Sequence, residues 1–368
     1  MLNLTLFFSR RVPLQVWAEN GSLEREIAIY QRLQDKGVRV SFVTYGGAKD
    51  LKYEQDLGGI KLLCNQWNLP LRLYERLLPF LFPLDFSRTD VIKTNQIKGA
   101  DIALRVAKIW HKPLIARGGY MWSQFAEKGG NLTETERARQ TEKTVFSQAS
   151  KAVVTTQEMK DYIIESYKVS SEKIRVIPNY VLTDVFSPDE SEASAPNRIV
   201  YIGRLAKQKN LFSLVEACAG LNIDLHFIGD EGSLREPLKN KAAELGVQLT
   251  IHGNLAHHQL PSMIHLSTLF ALVSTHEGHP KALIEAMSCG AAVLGADAPG
   301  IREVIQHNEN GWLCGTQPEQ IRQALQTILK DSILRKRLGK NARQTVLEQF
   351  SLDHIVELEL GILKEVTQ

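Results

Sequence analysis

The chain has no two cysteines close together: Cys64, Cys218, Cys289 and Cys314 stand far apart and form no C-x-x-C pair. That spacing argues against a zinc site and against a disulfide framework, and it suits a reducing compartment. All four read as small core residues rather than reactive thiols. No apolar run approaches the roughly 20 residues that a bilayer-spanning helix needs. Residues 1–8 are apolar but few, follow no basic stretch and meet Arg10 and Arg11 at once, so they read as a buried first strand rather than a secretion signal. There is no short internal repeat, no low-complexity tract and no basic-aromatic motif, and nucleic acid is not an expected partner. A cytoplasmic globular protein is the expectation.

What is present is ample for burial. The 368 residues are 43% hydrophobic and 23% charged, a globular composition, and that length predicts two domains of about 150–200 residues each. The net charge of +3 is unevenly spread: residues 1–184 carry 27 Lys and Arg against 20 Asp and Glu, and the remainder 17 against 21. A modestly basic front half suits an anionic or membrane-borne substrate.

Short apolar runs alternate with amphipathic helical patterns, the signature of α/β layers on a parallel sheet. Strand-like runs fall at 4–8, 38–44, 91–94, 113–116 and 152–155, then restart at 198–203, 224–229, 248–253, 269–274 and 291–296. Residues 22–36, with Leu23, Ile27, Tyr30 and Leu33 in helical register, lie between strands. Residues 187–196 are polar and Pro-bounded and make the best linker. The expected domains are therefore 1–186 and 187–350, with a helix over 351–368 that closes the second or crosses back to the first. Two doubly wound units joined in this way would face each other across a cleft lined by the carboxyl ends of both strand sets, where open α/β sheets bind ligands.

Residues 274–290, Ser-Thr-His-Glu-Gly-His-Pro-Lys-Ala-Leu-Ile-Glu-Ala-Met-Ser-Cys-Gly, follow a strand. Gly278 permits close backbone approach, Pro280 suits a helix start and Gly290 a left-handed stop. The helix then aims its positive end at whatever lies above the strand, an anion site suited to a diphosphate. Glu277 and Glu285 flank it and would repel phosphate, so they address neutral hydroxyls. A second cluster, residues 201–210, ends a strand at Gly203 and carries Arg204 and Lys209 into the next turn; two fixed cations suit a departing diphosphate.

The first of these stretches resembles the E-x7-E signature of the retaining family 4 glycosyltransferases (glycosyl transferases group 1), with Glu277 and Glu285 eight positions apart. The second resembles the family's strand–G-R-L–K-N turn. The resemblance implies a GT-B fold of two Rossmann-like domains, with donor bound by the second and acceptor by the first. It implies that Glu277 contacts the donor sugar, Glu285 the ribose, Arg204 and Lys209 the diphosphate, and Gly203, Gly278, His279, Pro280, Lys281 and Ala282 the groups between. Phe227 to Gly232 resembles a further family turn, and Ile251 and His252 a strand end that faces the base. Residues 298–303 resemble a G-G-x-x-E turn with Pro299 in place of the first glycine, Glu303 being a helix-start residue. Residues 176–181 match a V-I-P-N-G-V hinge with Tyr180 in place of glycine.

The likeness is strong over 198–315 and only topological before about 150. The family's glycine-rich opening loop is reduced to Asn20-Gly21-Ser22-Leu23, so only Gly21 carries over. Where the family often has a strand-end histidine the chain reads Arg117-Gly118, and Arg117 takes the substrate-facing place. The resemblance further implies retaining transfer of a sugar from a UDP- or GDP-sugar to an acceptor hydroxyl in cell-surface glycan, lipopolysaccharide or glycolipid synthesis. No cofactor and no metal is expected, since the D-x-D motif of metal-dependent glycosyltransferases is missing. Alternatives are a nucleotide-sugar epimerase of GT-B shape and an inactive nucleotide-sugar-binding partner. Residues 66–86, apolar with Arg72 and Arg76 interspersed, could dip into a membrane surface and meet a lipid-linked acceptor; packing on their own sheet is the favoured reading, and Pro70, Pro79 and Pro83 are expected to break any long helix.

Overall fold

The computed structural model describes residues 1–19, 21–189, 195–230 and 233–368. Asn20 of the opening loop, Glu190 to Ser194 of the linker, and Glu231 and Gly232 of the turn after Phe227 lie outside the described residues. The chain divides into two units, Met1–Pro178 with Ile355–Gln368, and Asn179–His354.

Unit 1 is built on seven strands, β1 (Leu2–Phe7), β2 (Val38–Gly47), β3 (Lys61–Asn65), β4 (Val91–Thr94), β5 (Leu114–Gly118), β6 (Lys151–Val154) and β7 (Ile174–Val176). They pair in the order β3-β2-β1-β4-β5-β6-β7, all parallel. Leu4 to Phe7 of β1 are all buried, because a central parallel strand is covered on both faces and reads as a continuous apolar run. The helix Leu23–Asp35 buries Ile27, Tyr30 and Leu33 against this sheet side and leaves its charged residues outward.

Residues 66–86 form two helices, Leu71–Leu81 and Pro83–Arg88. The first runs through Pro79, contrary to the expected break. A proline removes the bond to the carbonyl four residues back, and here that carbonyl, on Glu75, accepts from Arg105 Nη2 instead. Tyr74, Leu78 and Phe86 are buried, and Phe80 and Leu84 are exposed.

The helix Leu352–Thr367 supplies unit 1 with Ile355, Leu360 and Leu363 as buried residues. It also supplies Glu359, whose Oε2 lies 2.5 Å from Lys93 Nζ on β4, with both side chains 2% exposed.

Unit 2 has six strands, β8 (Arg198–Ile202), β9 (Asp224–Ile228), β10 (Gln248–Ile251), β11 (Leu269–Leu272), β12 (Val293–Ala296) and β13 (Trp312–Cys314). Their order is β10-β9-β8-β11-β12-β13, again parallel throughout. The expected strands 198–203 and 224–229 each overrun by one glycine, since Gly203 (φ 152°) and Gly229 (φ 135°) turn the chain out of the sheet. A Cβ on Gly229 would sit 2.1 Å from the Gly203 carbonyl oxygen, so these two strand ends can touch only as glycine. β3, β7 and β13 carry no expected strand: each is an edge or near-edge strand of three to five residues, too short to show a period.

Among the described residues no helix is long and apolar enough to cross a membrane. All four cysteines are buried and free. Burial pushes the thiols of Cys218, Cys289 and Cys314 up to about 12 and that of Cys64 to about 11, which keeps them protonated and inert.

Candidate active site

In unit 2 the winding of the sheet reverses between β8 and β11, neighbours that are not consecutive in sequence. Such a reversal opens a crevice beyond the carboxyl ends of the two strands. Both motifs singled out from the sequence end there. After β8, Gly203 turns the chain and Arg204 follows, exposed, its carbonyl accepting from Tyr201 Oη at 2.8 Å. A single turn at 207–209 leads to Asn210, left-handed (φ 56°), whose Nδ2 donates to the Thr316 carbonyl at 2.8 Å. After β11 the chain runs through Thr275, Glu277 and Gly278 to the helix Lys281–Ser288.

The two loops are clamped together. The Thr275 amide donates to the Gln208 carbonyl at 2.8 Å, and Lys209 Nζ lies 2.5 Å from Glu277 Oε1, with side chains 12% and 9% exposed. Residues 68 positions apart in sequence thus form one ion pair beside the Arg204 turn. From the other side the Glu277 amide donates to the Pro299 carbonyl at 2.9 Å. Gly300 (φ 78°) presses so closely on this loop that a Cβ would lie 2.0 Å from the Gly278 carbonyl oxygen. The following residues 301–304 make only a turn, and no helix starts at Glu303.

Pro280 is extended (φ −75°, ψ 107°) and caps the helix; its carbonyl accepts from Leu283 at 3.2 Å. A helix start leaves its first N–H groups without intrahelical partners, and Lys281 and Ala282 occupy that turn, both half-buried. Gly290 (φ 73°) ends the helix in the left-handed form. His279 is buried, its ring 5.0 Å from that of Phe350, and its carbonyl accepts from Asn179 Nδ2 at 2.7 Å. Asn179, in the hinge stretch, therefore braces the loop through its backbone.

Glu285 is 2% exposed, with Oε1 3.0 Å from His257 Nε2. His257 escaped the sequence reading, because its place opposite Glu285 depends on the register of β10 and the turn after it. Near the strand end at Ile251 and His252, backbone groups are already engaged: the Ile251 carbonyl accepts from Arg235 Nη2 at 3.2 Å and the His252 amide donates to Phe227 at 2.9 Å. The His252 ring instead meets His226, Nε2 to Nδ1 at 2.9 Å, and His226 Nε2 meets Asp224 Oδ2 at 2.9 Å. Desolvation, then the adjacent His226, holds His252 below the ordinary imidazole value.

The residues expected on the acceptor side lie in unit 1. Gly21 (φ 67°) is exposed, its amide donating to Ala18 at 3.1 Å. Arg117 and Gly118 close β5, the Arg117 amide donating to Thr94 Oγ1 at 2.9 Å. Among the described residues no group of three or more His, Cys, Asp or Glu gathers as metal ligands would.

Two family models match the chain, one to each half. The model described as Glycosyltransferase Family 4 covers residues 27–185, and Glycosyl transferases group 1 covers 184–345. The alpha-maltose-1-phosphate synthase of Mycolicibacterium smegmatis is 24% identical over 61% of this chain and 66% of its own length. The chain spans under two thirds of the length of the first curated relatives it matches. Among solved structures, Anabaena HepE in complex with UDP and glucose superposes with a TM-score of 0.80 at 18% identity, covering 99% of this chain and 100% of that one. Sucrose-phosphate synthase from Thermosynechococcus elongatus gives 0.79 at 18%, covering 99% and 98%. These likenesses show the fold, which is GT-B.

Proposed function

Because the chain belongs to the glycosyltransferases of the family 4, group 1 type, we propose that it transfers a sugar from a nucleotide-sugar donor to an acceptor hydroxyl with retention at the anomeric carbon. The observation that carries this reading is the meeting of Lys209 with Glu277 at the β8–β11 crevice, beside Arg204 and the helix that starts after Pro280.

As the bond between the anomeric carbon and the phosphate oxygen breaks, its electron pair stays on that oxygen and the diphosphate gains charge. Arg204, Lys209 and the helix start are fixed charges that meet this growth without reorganising. The acceptor oxygen bonds to the anomeric carbon on the face the phosphate leaves, and its proton passes to the departing phosphate oxygen. Glu277 acts here on sugar hydroxyls, held in place by Lys209, and not as a covalent nucleophile. Glu285, backed by His257, is assigned to the ribose hydroxyls. Cations of the chain itself do the work that a divalent ion does elsewhere, so no metal enters the reading.

HepE binds UDP and glucose, which makes UDP-sugars the first donors to try. A thermal-shift screen of UDP-, GDP- and ADP-sugars tests the reading, since a ligand that binds the native state alone raises the melting temperature. One nucleotide class should raise it in wild type and fail to do so in Arg204→Ala/Lys209→Ala. Equal shifts in both proteins would remove the diphosphate assignment.

A further inference from the structure

β8 ends beneath the two loops of the donor crevice, and one of its buried side chains reaches up to them. Tyr201 is 0% exposed, its ring edge-on to Phe227 of β9 at 5.5 Å. The transfer chemistry gives this phenol no part. A hydroxyl sealed in an apolar core needs a partner, and this one donates to the Arg204 carbonyl at 2.8 Å. Burial, and then the charge of Glu277, push it well above the ordinary tyrosine value, with Arg204 opposing. The phenol therefore stays protonated and remains a donor at neutral pH.

Gly203 makes the space for this contact. A Cβ there would lie 2.6 Å from Tyr201 Oη, so a larger residue would push the hydroxyl from the carbonyl. The same carbonyl also accepts from the Ala206 amide at 3.0 Å. Two donors thus occupy both lone pairs of one oxygen and fix the plane of the peptide that follows Arg204. On one side the Gly203 amide donates to the Ile228 carbonyl at 2.9 Å, and on the other Leu205 is fully buried. The Arg204 side chain itself is exposed. Lys209 has Glu277 to hold its ammonium. Among the described residues no carboxylate lies within ion-pair distance of Arg204, so the backbone sets where its guanidinium can reach.

We propose that Tyr201 is a positioning residue for sugar transfer, holding Arg204 against the donor diphosphate through the Arg204 carbonyl. This rests on the assignment of Arg204 to the diphosphate made above. A fixed cation stabilises the departing diphosphate best when it need not reorganise as the charge grows. The hydroxyl supplies that rigidity from within the core, where water does not compete for the carbonyl.

The test uses the full chain and compares a nucleoside diphosphate with its nucleoside, which lacks the groups that Arg204 meets. UDP, GDP and ADP, and uridine, guanosine and adenosine, are titrated by calorimetry into wild type and Tyr201→Phe. Phenylalanine keeps the ring on Phe227 and removes only the hydroxyl. The diphosphate that binds wild type should bind Tyr201→Phe about five- to tenfold more weakly, with its nucleoside unchanged. In an Arg204→Ala background the same substitution should alter diphosphate binding less than about twofold, since its effect passes through a side chain already removed. Gly203→Ala, which displaces the same hydroxyl, carries the same expectation and serves if Tyr201→Phe does not fold. Diphosphate binding unchanged in Tyr201→Phe, equal losses for diphosphate and nucleoside, or a full further loss on top of Arg204→Ala would each overturn the proposal. If no diphosphate binds wild type more tightly than its nucleoside, the donor reading itself falls and takes this role of Tyr201 with it.

Discussion

Single side chains carry charge into places where little water reaches, and two of them give opposite lessons. Glu277 keeps a cation at 2.5 Å, and its replacement by Ala should lower turnover about a hundredfold or more while circular dichroism and the melting curve stay close to wild type. Transfer at the wild-type rate would remove its assignment to the donor sugar. Among the described residues Glu142 has no cation beside it. Its carboxyl is fully buried and accepts from the Ser123 amide at 3.0 Å, Ser123 Oγ at 2.6 Å and Tyr167 Oη at 2.6 Å. Burial nonetheless raises it above the usual carboxylate range. The native state then holds this proton more tightly than the unfolded chain, so stability is lost as pH rises through the raised value. Glu142→Gln cannot ionise. Its melting temperature relative to wild type should climb as pH rises from about 4 and level off once the raised value is passed, as followed by thermal melts from that pH upward; a constant difference would contradict the assignment.

At the scale of elements, strands bounded by left-handed glycines are legible in sequence, because the run of buried apolar residues and the residue that ends it are both local. β8 and β9 are of this kind, and so is the helix Lys281–Ser288 between Pro280 and Gly290. β3, β7 and β13 are not, being edge pieces recognised only by what they pair with. The site divides the same way. Arg204, Lys209, Glu277 and Glu285 stand in motifs, whereas Asn179, His257 and the Pro299 carbonyl act through backbone or through register, which no local pattern encodes. The Gly300 contact shows why such support matters. Gly300→Ala would push its Cβ into the Gly278 carbonyl, 2.0 Å away, and shift the Glu277 backbone. A loss of more than about tenfold in kcat/KM is expected. Gly246→Ala (φ 65°, nothing within 4 Å) would carry backbone strain alone and leave kcat/KM unchanged. Equal losses in the two variants would show strain, not the contact, to be the cause.

For the molecule as a whole, the two-unit α/β plan and its reversed sheets were legible from the alternation of strands and helices, but the discontinuity of unit 1 rests on contacts between distant positions. The buried pair Lys93–Glu359 is the clearest of these. Burial drives Lys93 below the ordinary lysine value, and Glu359 opposes that shift. Lys93→Met alone would strand a buried carboxylate, a loss of about 3–5 kcal/mol, seen as a lower urea midpoint. Lys93→Met/Glu359→Leu should recover most of it, since a buried ion pair is often no better than well-packed apolar residues. A double variant as weak as the single one would mean that the pair does more than neutralise itself.

That pairing also fixes an order of events during synthesis. The strand bearing the ammonium leaves the ribosome some 266 residues before the helix that neutralises it, with all of unit 2 translated in between. The sheet of unit 1 must therefore wait, its centre electrically incomplete, until the helix Leu352–Thr367 arrives. Nascent chains stalled before residue 355 should for that reason be open to proteases at unit 1 even when unit 2 has already closed.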